Sequence, residues 1–418
     1  MPATSATSIE RAGLSPADVP SLRPEIEVGL LTGCQDRPYV FGLSTILAAK
    51  HVNVDVIGSD EVDGPEMHNT PKLRFLNLRK SRRQKVNPAR KVSRLLAYYL
   101  RLMGYAANEK PKILHILWNN KFETFDRTVL MLYYKMQGKK IVLTVHNVNQ
   151  ARRDAKDSPL NRLTLRIQYR LADHIFVHTQ KMKSELFEDF GVKEENVTVI
   201  PFGINNAVPQ TDLTTALAKQ ALGIPSGEKV ILFFGRMRPY KGLEHLLGAY
   251  ERLSKQRSDY RLIVAGEPKK GSEEYIDEIR RIIQRIDKDE RIVCKLQFIP
   301  DEDTELYFKA ADVLALPYKE IFQSGVMFLA YSFGLPVVAA NVGSFSEEII
   351  EGRTGFLCNP NDVDDLAGAI ERYFASDLYR DLDDRRSQIR DYANEHHSWD
   401  VVAERTLKVY TQLQRVNP

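Results

Sequence analysis

Residues 230–250, VILFFGRMRPYKGLEHLLGAY, run from an apolar stretch through a glycine and a cationic loop into an amphipathic segment. Val230–Phe234 has no alternating polar residues, the pattern of a strand covered on both faces. Leu243, Leu246, Leu247, Tyr250 and Leu253 then fall on one face of a helix. Between the two, Gly235 and Gly242 allow tight backbone turns. Arg236 and Lys241 are close enough in the chain to converge on one anion beside a helix amino terminus, which suits a diphosphate. The loop is not a P-loop, because the GxxxxGK[ST] spacing is missing. A surface ion pair on a strand-to-helix loop is the plainer alternative.

The same alternation extends in both directions. Upstream, Glu27–Leu31, Val52–Ile57, Ile113–Leu117, Ile141–Val145, Ile175–His178 and Val197–Ile200 read as strands; downstream, Leu262–Ala265, Val293–Phe298, Val313–Leu316 and Val337–Ala340 do. Helix-period segments separate them. Two such series predict an α/β chain of two doubly wound, Rossmann-like domains facing a central cleft. The polar, Pro-bearing stretch 205–229 is the best boundary, giving domains over 26–210 and 211–395 and a terminal amphipathic helix over 396–418. Ligands of such sheets sit at the carboxyl ends of the strands, so the loops there are where chemistry is expected.

Composition excludes few classes. Apolar residues make up 43% and charged residues 27%, ordinary values for a globular protein. No apolar run approaches the ~18 residues of a membrane-spanning helix. Residues 1–25 are small and polar, lack the apolar centre of a signal peptide, and read as a disordered leader. Cys34, Cys294 and Cys358 are odd in number and far apart, and each is expected as a buried free thiol in a reducing cytoplasm. The net charge is +4, yet between Met67 and Asn108 there are eleven Lys and Arg and no Asp or Glu. Within residues 79–103, Leu95, Leu96, Tyr98, Tyr99, Leu102 and Met103 interleave with Arg94 and Arg101, which suits an anionic membrane surface. The alternative is a solvated loop followed by a helix packed on the core. Nucleic acid is not expected, since no stacking platform accompanies the charge.

FFGRMRPYKGLEHLLGAY (233–250), LIVAGEP (262–268), FIPDEDTELYFKAADVLALPY (298–318), GLPVVAANVGSFSEEIIEGRTGFLCNPND (334–362) and HHSWDVVAERTLKVY (396–410) closely resemble the carboxyl-terminal domain of family 4 glycosyltransferases of the GT-B fold. TGCQDRPYVFGLSTILAAKHVNVDVIG (32–58), VLTVHNVN (142–149) and ADHIFVHTQKMKSEL (172–186) resemble the first domain more loosely. The resemblance implies sugar transfer from a UDP- or GDP-sugar to a saccharide or lipid-linked acceptor, without cofactor or obligatory metal. It implies an acceptor-binding first domain, a nucleotide-sugar-binding second domain, and a last helix crossing back to the first. Arg236 and Lys241 are then expected to neutralise the departing diphosphate, and His146 to meet a donor-sugar hydroxyl. Gly33 and Gly235 are expected to let backbone approach the donor, and Phe298 to lie near the nucleobase. Asp36, Arg37 and Trp118 are candidates for acceptor contacts.

One departure stands out. Family members usually place two Glu residues, separated by seven others, before the GLPVV strand; here those positions hold Ile321 and Leu329. Glu320 stands one residue early and is a candidate for the sugar contact. Gln323, Ser324 and Gly325 form a turn opening a helix, whose free N–H groups suit a phosphate or sugar. The reading is a family 4 transferase at the cytoplasmic face of an envelope membrane, retaining in the manner of the family. A catalytically silent GT-B subunit that binds a sugar nucleotide or partner is the alternative, favoured by the missing carboxylates and opposed by Arg236 and Lys241.

Overall fold

The computed structural model describes residues 25–81, 87–153, 156–204 and 208–415. The first sheet contains β1 (Glu27–Leu31), β2 (Asn53–Gly58), β3 (Leu73–Asn77), β4 (Ile113–Ile116), β5 (Lys140–Thr144), β6 (His174–Val177) and β7 (Val197–Val199). The second contains β8 (Lys229–Phe234), β9 (Tyr260–Ala265), β10 (Ile292–Lys295), β11 (Val313–Leu316), β12 (Val337–Ala340) and β13 (Gly355–Cys358). Every ladder is parallel, in the orders β3-β2-β1-β4-β5-β6-β7 and β10-β9-β8-β11-β12-β13. This is the doubly wound α/β architecture expected.

Chain order reverses beside β1 in one sheet and beside β8 in the other. At such switch points neighbouring loops diverge and leave a crevice at the strand ends. The crevices are therefore framed by the loops after β1 and β4, and after β8 and β11.

Burial follows the two-residue period of each strand. In the first sheet Leu31, Ile57, Leu114, Ile116 and Leu143 share one apolar cluster, while Val28, Leu30, Val54, Val56 and Val142 share another on the opposite face. The edge strands β3 and β13 were not foreseen. Leu73–Asn77 carries Arg74 and Asn77 and is only partly buried, so it lacks the continuous apolar run of a central strand; Gly355–Cys358 is apolar but only four residues long and begins with a glycine. The strand expected over Val293–Phe298 ends at Lys295. It lies at a sheet edge, and there Cys294 is exposed, which corrects its expected burial; Cys34 and Cys358 are buried.

The last helix, Trp399–Arg415, crosses to the first domain, where Val402, Ala403, Val409 and Tyr410 join the cluster around Val28 and Leu43. Trp399 donates from Nε1 to the Ile204 carbonyl at 3.0 Å, and the Tyr410 hydroxyl lies 2.6 Å from His115 Nδ1. The helix thus ties the segment between domains to the first sheet.

The basic segment contains the helix Pro88–Asn108, capped by Asn87, whose side chain accepts from the Arg90 N–H. Tyr98, Tyr99, Leu102 and Tyr105 are buried, whereas Val92, Leu96 and Leu100 are exposed on the other face. One face of the helix therefore packs on the core, and another presents apolar side chains outward. Residues 82–86 of the segment, residues 1–24 of the expected leader and residues 205–207 of the expected boundary lie outside the described residues. Among the described residues no helix is long and apolar enough to cross a membrane.

Candidate active site

A cavity of about 400 Å³ lies at the carboxyl ends of both sheets. Trp118 and His146 reach it from the loops after β4 and β5, and Arg236, Arg238 and Lys241 from the loop after β8. The cationic loop that opened the sequence reading thus faces the histidine loop of the other domain.

Lys241 ends a short 3-10 turn, Pro239–Lys241. Gly242 follows at φ 65°, and a Cβ there would stand 2.1 Å from the Pro317 carbonyl oxygen, so only glycine lets the β8 loop close against the β11 loop. This turn folds Lys241 inward until it is 7% exposed. Its ammonium lies 5.2 Å from the Tyr318 ring centre and 3.3 Å from where a Gly235 Cβ would be. Among the described residues no carboxylate offsets its charge. Burial lowers its pKa to about 8, and Arg238 and Arg236 add to the depression. A buried ammonium without a counter-charge is unfavourable, and an anion in the cavity would relieve it.

Arg236 is held differently. Its Nε and Nη2 donate to Glu267 Oε1 at 3.1 and 2.9 Å, and both side chains are largely solvated. Glu267, in the loop after β9, was missed in the sequence, since only the β8–β9 pairing brings it beside Arg236.

His146 sits in an aromatic box. It stacks on Trp118 with ring centres 4.2 Å apart and an interplanar angle of 6°, and Tyr39 meets it edge-on at 4.9 Å. Its Nδ1 is 3.0 Å from His178 Nε2, whereas its own Nε2 is buried without a partner. Burial, then the neighbouring His178, holds the ring well below the usual histidine range and keeps it neutral. Trp118 is therefore first a wall for His146.

The other expected residues divide among three places. Gly33 packs on the Trp118–Asn119 backbone and lines a second cavity, with Arg79 and Lys91. Glu320 and Ile321 line a third cavity of about 540 Å³ beside Arg152, Lys181 and Glu185, apart from Lys241 and His146. Asp36 caps the helix Arg37–Ala49 by accepting from the Tyr39 N–H at 3.2 Å, and Arg37 pairs with Glu66 at 3.4 Å on the surface. Neither side chain lines these three cavities. Phe298 is 61% exposed beyond the end of β10 and lines none of them either.

Gln323, Ser324 and Gly325 do open a helix, Gly325–Ser332. Ser324 lies buried 3.4 Å from the Tyr318 hydroxyl, under the ring that faces Lys241. Both polar atoms of the Gln323 carboxamide are buried without partners. Ile321 and Leu329 are buried apolar side chains. Among the described residues no group of three or more His, Cys, Asp or Glu is placed to hold a metal ion.

Two family models account for most of the chain: glycosyltransferase family 4 over residues 38–208, and glycosyl transferases group 1 over residues 215–396. The chain belongs to the family 4, group 1 glycosyltransferases of the GT-B fold. This chain is 30% identical over 280 residues to the D-inositol 3-phosphate glycosyltransferase of Corynebacterium diphtheriae, covering 64% of this chain and 62% of that one. It is 24% identical over 399 residues to the protein of that name from Corynebacterium glutamicum, covering 89% and 90%. Against the relative from Corynebacterium aurimucosum it spans 64% of the relative's length. Among solved structures, sucrose-phosphate synthase from Thermosynechococcus elongatus superposes with a TM-score of 0.75 at 21% identity, over 94% of this chain and 100% of that one. HepE of Anabaena, solved in complex with UDP-glucose, gives 0.71 at 18% identity over 92% and 99%. These two likenesses concern the fold.

Proposed function

We propose that this glycosyltransferase moves a sugar from a UDP- or GDP-sugar to a saccharide or lipid-linked acceptor in envelope or exopolysaccharide synthesis, with retention and without an obligatory metal. The observation that carries the reading is the buried Lys241 ammonium with no carboxylate beside it. A diphosphate is the ligand class that fits such a cation next to Arg236 and Arg238. HepE, which shares the fold, was solved with UDP-glucose.

In the proposed reaction the acceptor O–H adds to the anomeric carbon as the bond to the β-phosphate oxygen breaks. The proton passes to the departing phosphate, and the nucleoside diphosphate leaves. Negative charge grows on that phosphate in the transition state, where fixed cations in a closed cleft act most strongly. His146, neutral and with Nε2 unpaired, serves as a hydrogen-bond partner for a sugar hydroxyl. The exposed Val92, Leu96 and Leu100, among the cations of the Pro88–Asn108 helix, support docking at an anionic cytoplasmic membrane face.

Incubation with UDP- and GDP-sugars and anionic lipid extract, followed by assay for released nucleotide and glycosylated product, tests the reading. Loss of both in Lys241→Ala is expected, and unchanged turnover in that variant would falsify the clamp. The buried Ile321 and Leu329 at the usual carboxylate positions favour a second reading, a silent binding subunit. Nucleotide-sugar binding with no product from any acceptor would establish it.

A further inference from the structure

We propose that the second cavity, beside the active site, anchors a phosphate group of the acceptor. It has a volume of about 340 Å³, and Arg79, Lys91, Arg94 and Lys121 line it with Asn119 and Asn120. Among the described residues that line it there is no Asp or Glu. Cations gathered around one space repel one another unless an anion occupies it. The volume exceeds that of a lone ion and fits a phosphorylated sugar or a diphosphate.

The walls are built from the core upward. Tyr98 is buried, and its hydroxyl donates to Asn120 Oδ1 at 2.6 Å. The Arg79 guanidinium lies 5.3 Å from the centre of the same ring. Asn120 also donates to Asp126, at 3.3 Å, and Asn119 exchanges hydrogen bonds with Gln168 at 3.3 and 2.8 Å. Lys91 and Arg94 are one turn apart on the Pro88–Asn108 helix. Two carboxylates stand behind the lining: Asp126, bonded to Asn120, and Glu61, which accepts from the Ser81 hydroxyl at 3.4 Å.

Position selects the acceptor over the donor. Gln35 and Asn119 line both this cavity and the one holding Lys241 and His146. A phosphate held between Arg79 and Lys91 would leave the rest of its molecule free to reach past Asn119 toward the donor sugar. This inference deepens the transferase reading and rests on it. The phosphate can come from a lipid headgroup or from a soluble sugar phosphate; the chemistry read by the cavity is the same.

The test uses the full chain and inorganic phosphate in calorimetric titrations. Lys241→Ala removes the diphosphate clamp as a competing site, and Arg79→Gln with Lys91→Gln is added to it. Phosphate binding that survives Lys241→Ala and weakens about tenfold or more on adding the two cavity substitutions is expected. Equal phosphate affinity with and without those two substitutions overturns the proposal. UDP titrated against the chain carrying only Arg79→Gln and Lys91→Gln should bind as to the unsubstituted chain. Failure of UDP to bind the unsubstituted chain defeats the transferase reading while the phosphate result stands separately. Sedimentation with phosphatidylglycerol vesicles, set against phosphatidylcholine vesicles, then names the source. Release by the two cavity substitutions, matched by competition from free phosphate, supports a lipid headgroup; unchanged sedimentation with lost phosphate binding supports a soluble one.

Discussion

The Lys241 ammonium lies 5.2 Å from the centre of the Tyr318 ring, and among the described residues no carboxylate offsets its charge. Buried lysines are ordinarily paired, as Lys219 is with Asp312 at 3.0 Å elsewhere in this domain. An aromatic face offsets part of the charge, by roughly 0.5–2 kcal/mol, which is less than the several kcal/mol that burying an ion costs. The proposed diphosphate clamp rests on this imbalance.

Substitution at this position should separate function from folding. Lys241→Met keeps the length of the side chain and removes the buried charge, so the melting temperature should hold or rise. Turnover should fall by about 100-fold or more, because a cation facing the leaving group acts in the transition state. Thermal melts and kcat/KM measured on one preparation check both. A destabilised variant with near-normal turnover would contradict the assignment.

The pH dependence follows from the depressed pKa of about 8. Below that value Lys241 is charged in the folded and the unfolded chain alike. Between about 8 and the usual 10.5 the folded chain has released a proton that the unfolded chain retains, so this group's contribution to stability rises with pH. Diphosphate binding needs the ammonium and runs the other way. UDP affinity should weaken above pH 8, by at most about tenfold per pH unit, and the slope should vanish in Lys241→Met. Titration calorimetry from pH 7 to pH 9.5 reads it directly.

Arg236 is engaged by Glu267 before any donor arrives. The pair is solvated and therefore weak, about 0–1 kcal/mol. Glu267→Gln should leave stability nearly unchanged and tighten UDP binding several-fold, by freeing the guanidinium and removing a like charge from the phosphate. Equal or weaker binding in this variant would mean that Arg236 does not turn to the donor.

Gly42 tests the docking of the last helix. A Cβ on it would lie 2.0 Å from Trp399 Cε2, while Gly203 closes the other side of the indole. The indole is also fixed by its bond to the Ile204 carbonyl. Alanine in place of glycine within the Arg37–Ala49 helix gains about 1 kcal/mol in propensity, but overpacking costs about 1–3 kcal/mol or more. Sterics should win, so Gly42→Ala is expected to lower the denaturant midpoint; an unchanged midpoint would show that the indole can move.

Much of the fold was legible because central parallel strands, buried on both faces, must be apolar throughout. β1, β5, β8 and β11 are such strands. The edge strand β3 escaped, since a strand with one neighbour need not carry that pattern. In the site, the β8 loop announced itself because its glycines and cations are adjacent in the chain. Glu267, His178 and the cavity of Arg79 and Lys91 gave no such local signal. Their partners come from other loops, and only strand pairing and helix packing bring them together.

The stretch 230–250 by itself determined a strand, a glycine turn, a cationic loop and a helix, because local periodicity and backbone sterics act over a few residues. That Lys241 turns inward while Arg236 stays solvated was decided by tertiary structure, through the closure of Gly242 on Pro317 and the pairing of β8 with β9. The same holds for Glu320 and Ile321, which the fold sets beside Arg152, Lys181 and Glu185. Burial and electrostatic environment depend on residues distant in the chain, and spacing along one segment carries no record of them.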